Sequence, residues 1–139
     1  ALGKDIKKIL GASMVKLYIY NRASPKLEHP IWEPLSKLEM VDLMRTSKLS
    51  MKRTVSLWSH PKHFRRDNEV KSRSEKIFSE ALLSLKTYMR KDDQAILLLG
   101  SENKETFNQN NKTDYLNILA RVISHNLYRL LEKQRSIDE

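Results

Sequence analysis

The chain has 139 residues, 26 lysines and arginines against 17 aspartates and glutamates, a net charge of +9, and no cysteine. The missing cysteine excludes a disulfide framework, a zinc–thiolate site, a cysteine nucleophile and an iron–sulfur cluster. Hydrophobic residues make up 40% and glycine only 3 residues, which suits one folded domain over 1–139 and no long low-complexity stretch.

Residues 2–10 space Leu2, Ile6, Ile9 and Leu10 as one helix face, closed by Gly11. Residues 14–20 can be read in two ways. Val15, Leu17 and Ile19 alternate as in a strand, but Ile6, Ile9, Leu10, Met14 and Leu17 keep helical spacing. The helix is preferred, because no second clear strand exists to pair with this one. Residues 21–35 carry Pro25, Pro30 and Pro34 and read as a linker pinned by Trp32 and Leu35. Ser36-x-x-Glu39 reads as a capping box, followed by a helix through Leu38, Val41 and Met44. A break at 47–50 precedes Met51, Val55 and Trp58, whose spacing predicts a second short helix ending before Pro61.

Residues 67 to about 90 place Val70, Ile77, Phe78, Ala81, Leu82, Leu85, Tyr88 and Met89 in one broad stripe, predicting a long amphipathic helix. Asp92 and Asp93 read as its stop. Ala95–Leu99 is the longest apolar run, far short of the ~20 residues a spanning helix needs. Residues 100–112 are polar and read as a surface loop, with a formal sequon at Asn111. A cap at Thr113 or Asp114 opens a second long helix. Its inward face is Leu116, Leu119, Ala120, Ile123, Leu127, Leu130 and Leu131. The fold expected from these elements is all-α: a compact bundle of four or five helices, two of them long and amphipathic.

Residues 45–73 hold nine lysines and arginines against Asp67 and Glu69, so 9 − 2 = +7 of the net charge sits there. A field of one sign concentrates polyanions. The candidate polyanion-binding residues are Lys48, Lys52, Arg53, Lys62, Arg65, Arg66, Lys71 and Arg73. Arg121 and Arg129 add a thinner basic stripe with His125 on the last helix. Trp58 and Phe64, interleaved with the first cluster, are candidates for insertion at a membrane interface. Residues 43–58 also permit a helix-turn-helix with 50–58 as its reading helix. His60-x-x-His63 is interrupted by Pro61 and reads as two surface histidines rather than a metal site. No two glycines adjoin, which excludes a phosphate-cradling loop. No Ser/His/Asp set stands out. The expectation is therefore a protein that is not an enzyme and needs no cofactor or metal.

Several short patterns resemble one family. His63-x-Arg65 followed by Val70-Lys71-x-Arg73 resembles the approach to a long helix in the abalone sperm acrosomal proteins, lysin and its fusion-associated paralogue. Leu99-Gly100 resembles the end of that helix. Asp114-Tyr115 with Ala120 and Val122 resembles the start of the next, and Glu33-Pro34 the amino-terminal segment. This resemblance implies a secreted protein of the sperm acrosomal vesicle. It would act without catalysis on an egg coat or an anionic membrane, promoting fusion through a basic face and apolar surface. The competing expectations are a nucleic-acid-binding domain, nuclear or otherwise intracellular, and a protein-interaction domain using the same cluster on an acidic protein.

Overall fold

The computed structural model describes residues 11–20, 32–59, 77–85, 93–107 and 112–138. Its elements are β1 (Met14–Tyr20), β2 (Trp32–Pro34), α1 (Lys37–Thr46), β3 (Val55–Trp58), β4 (Ser79–Ser84), β5 (Gln94–Ser101) and α2 (Lys112–Asp138). The five strands form one sheet in the order β2-β1-β5-β4-β3. Among the described residues only the β1–β2 pair is parallel. The protein is mixed α/β, and the all-α expectation is overturned.

The correction has a physical cause in β5. Ala95 to Leu99 are all buried. A strand covered on both faces loses the polar/apolar alternation that marks a half-exposed one and becomes a continuous apolar run. Ala95, Leu97 and Leu99 join one core cluster and Ile96 and Leu98 the other. β4 follows suit, with Ala81 and Leu83 on the first side and Leu82 on the second. The helix expected over 67–90 is therefore a strand where it is described, and the short helix expected at 51–58 is β3. The helix-turn-helix reading falls with it. Residues 14–20 form a strand rather than the preferred helix, antiparallel to β5 from Met14↔Gly100 to Tyr20↔Gln94.

The two sheet faces differ in chemistry. One is aliphatic except at one end, where Ser79 and Ser101 pair: Val15, Leu17, Ile19, Val55, Ala81, Leu83, Ala95, Leu97 and Leu99 lie beneath Leu116, Ala120, Ile123 and Leu127 of α2. Burying each of those larger α2 side chains contributes roughly 1.5–3 kcal/mol. The α2 stripe matches the sequence expectation from Leu116 to Leu127, while the side chains of Leu130 and Leu131 lie outside the description. The Thr54 hydroxyl donates to the Asn117 side-chain oxygen, clipping the start of β3 to α2.

The other face receives α1 through Met40 and Leu43. It carries polar groups among the apolar ones, including Ser56, Glu80, Ser84 and Gln94. Gly100 and Ser101, expected in the polar loop, end β5. After them Phe107 is buried, its N–H directed to Ser79 Oγ at 3.3 Å.

The capping box at α1 is present as expected. Glu39 N–H donates to Ser36 Oγ at 3.1 Å, and Ser36 N–H donates to Glu39 Oε1 at 3.0 Å. The Ser36 backbone bond, reinforced by the Ser36 hydroxyl, holds the Glu39 carboxyl below its ordinary value. A carboxyl lowered in the folded state stabilises it at neutral pH, and that contribution is lost as pH falls through the lowered value. Ser36→Ala should cost about 1 kcal/mol in urea denaturation at pH 7, and less at a pH that protonates Glu39. An equal cost at both pH values would show that the Ser36 hydroxyl contributes nothing to lowering the Glu39 carboxyl.

Candidate anion-binding site

The site begins with the way α1 ends. Ser47 is the C-cap. Lys48 N–H donates to Arg45 O at 3.2 Å, and Leu49 N–H donates to Met44 O at 3.0 Å. This pair of bonds is a Schellman closure, with Leu49 and Met44 supplying its apolar contact in the same core cluster. The closure places Lys48 at the position where the chain turns left-handed, with φ at 61°. Glycine is the usual residue there, since a Cβ is strained by roughly 1–2 kcal/mol. Here a lysine occupies it. The turn delivers its ammonium over the Trp58 ring, 5.7 Å from the centroid, close enough for a cation–π attraction.

Trp58 is the last residue of β3. It is half-buried and packed against the α1-side core. Among the described residues β3 is an edge strand, since its neighbour on one side is β4 and no other strand pairs with it. A cleft of about 290 Å³ follows this edge. All four β3 residues line it, together with Lys48, Arg53 and Thr113 of the first turn of α2. Arg53 precedes the strand by two residues and Lys48 lies over its end, so a cation stands at each end of the cleft. Ser50 Oγ accepts from Arg53 N–H at 3.1 Å, and Ser50 N–H donates back to Arg53 O at 2.9 Å, which fixes the turn before Arg53.

Of the residues singled out by charge, the structure gathers Lys48 and Arg53 at the cleft. Lys52 is exposed beside Arg53 but does not line it. Arg121 and Arg129 are exposed on α2, away from its buried stripe, and are not cleft residues either. Lys62, Phe64, Arg65, Arg66, Lys71 and Arg73 lie outside the described residues, as do His60 and His63. Trp58 is brought to a cation in the cleft. Ser56 and Leu57 carry no charge or motif and were not legible as site residues. Thr113 was legible only as a helix start.

A second basic group lies across the same sheet face. Lys16 pairs with Glu33 at 3.1 Å and sits 5.6 Å from the Tyr18 ring centroid. This ammonium is paired with a carboxylate of the neighbouring strand β2. Among the described residues no group of three His, Asp or Glu side chains could hold a metal ion, and no helix is long and apolar enough to cross a membrane.

The family described as protein of unknown function DUF484 matches residues 11–132. The chain belongs to that family. Membership of DUF484 overturns the resemblance to the abalone sperm acrosomal proteins, and the expectation of a fertilization protein goes with it. Of the short patterns that carried it, Glu33-Pro34 lies in β2, Leu99-Gly100 in β5 and Asp114-Tyr115 in the first turn of α2, while Val70-Lys71-x-Arg73 lies outside the described residues. No curated protein matches this DUF484 chain in sequence.

Proposed function

We propose that this DUF484 domain is a binding domain that recognises an anionic ligand at the outer edge of β3. The observation that carries the reading is Lys48, held in a left-handed conformation that favours glycine, with its ammonium over Trp58 in the cleft it shares with Arg53. Strain of this kind at a cleft points to use of the side chain. The reading is non-enzymatic. The described lining offers two cations, one indole, two hydroxyls and two aliphatic side chains, and no carboxylate or imidazole to exchange a proton with a reacting group.

The test uses Trp58 as its own reporter in a Trp32→Phe background. Three probes are titrated at low and high salt: a glutamate-rich peptide, ATP and a single-stranded oligonucleotide. At least one should change the Trp58 emission saturably and bind more weakly as salt rises. Arg53→Ala should weaken that probe about tenfold, as loss of one charged hydrogen bond does. If no anionic probe alters the emission at low salt, the cleft is not an anion site.

A further inference from the structure

We infer that the occupant of this cleft is an extended acidic peptide segment that adds a strand to the outer edge of β3. The inference rests on the anion-site reading above and names its ligand.

Ser84 N–H donates to Thr54 O at 2.8 Å, and the β3–β4 register runs from Val55↔Leu83 to Trp58↔Glu80. In an antiparallel ladder, hydrogen-bonded and non-bonded pairs alternate. Thr54, Ser56 and Trp58 therefore direct their backbone groups towards β4. Val55 and Leu57 direct theirs away from it, into the cleft that both residues line. The edge thus offers two N–H donors and two carbonyl acceptors in a row. A phosphate or a carboxylate can meet only the donors. A peptide backbone meets both, which is the basis of strand addition.

Charge sets the rest of the partner's chemistry. Arg53 stands just before the strand and Lys48 over its last residue. Cations on an edge discourage pairing with a second copy of the same edge. They complement a segment bearing two acidic residues about five positions apart, since Arg53 and Trp58 are five residues apart and five residues of strand span roughly 16 Å. Free nucleotides and nucleic acids carry the negative charge but lack the regularly alternating N–H and C=O groups that pair with Val55 and Leu57 in strand register.

The experiment uses the full chain carrying Trp32→Phe. The probes are a synthetic peptide alternating glutamate and valine, its twin methylated at every amide nitrogen, and ATP. The readouts are Trp58 emission and amide hydrogen exchange at Val55 and Leu57. The expected result is slowed exchange at both amides with the unmethylated peptide only, and binding at least tenfold tighter than the twin. Leu57→Pro removes one outward N–H and no bond to β4. It should abolish binding of the unmethylated peptide. Its fold is checked by circular dichroism, and the methylated twin supplies the same test without a mutation.

Equal binding of the twin, or an ATP response with no amide protection by the peptide, overturns strand addition and leaves the anion site standing. Slow exchange at Val55 and Leu57 in the free protein also overturns it, because the edge would already be covered. Failure of every anionic probe to reach Trp58 overturns both readings.

Discussion

Leu97→Ala is expected to remove about 3–5 kcal/mol of stability, the upper part of the range for a buried leucine cut to alanine. Leu97 lies in β5, the middle strand of five, and is 1% exposed. Leu17 and Leu83 are its register partners on either side, and the aliphatic cluster it joins extends to the buried face of α2. Its neighbours are fixed by ladders on both flanks, so the site cannot collapse around the lost atoms and a cavity remains. Domains of this size are stable by only about 5–15 kcal/mol, so the variant should unfold at a far lower urea concentration with an unchanged m-value. A loss under about 1 kcal/mol would mean that α2 does not close over β5 as described.

Lys48→Gly should separate stability from binding, moving the two in opposite directions. Glycine relieves the left-handed strain at φ 61°. Part of the relief is offset by the extra freedom glycine gives the unfolded chain. The net gain should be about 0.5–1 kcal/mol in urea denaturation. The same substitution removes the ammonium over Trp58, and affinity for the anionic probe should fall at least tenfold. A variant that is less stable, or one that binds as well as its parent, would show that Lys48 is at this turn for a reason unrelated to the ligand.

Local signals are legible in the sequence where they act alone. Ser36-x-x-Glu39 needs only its own helix turn, and it forms as expected. The α2 stripe is a one-sided pattern facing one layer, so its period survives in the sequence. The sheet was missed because its central strands hide their period. In β4, Ser79, Glu80 and Ser84 are as buried as Ala81, Leu82 and Leu83. No residue of that strand is β-branched or aromatic. Local preference there favours a helix, and packing on both faces overrides it. Charge clustering found Lys48 and Arg53 but could not rank them above Lys52, because the distinction depends on a turn conformation and a strand edge. A lysine followed by an apolar residue after a helix end, as in Ser47-Lys48-Leu49, was the available hint.

The sheet order also bears on how the chain acquires its structure. β1 joins β5 by pairs such as Met14↔Gly100, which are 100 − 14 = 86 residues apart. On a ribosome β1 is complete long before its partner has been made, and it must wait with its bonding edge open and Leu17 and Ile19 uncovered. β3 and β4 can pair with one another in the meantime, and the sheet closes around β5 once that strand has been made. Refolding should accordingly proceed in milliseconds to seconds, as expected when distant contacts dominate. The waiting strand is the segment most exposed to capture by chaperones or by other nascent chains.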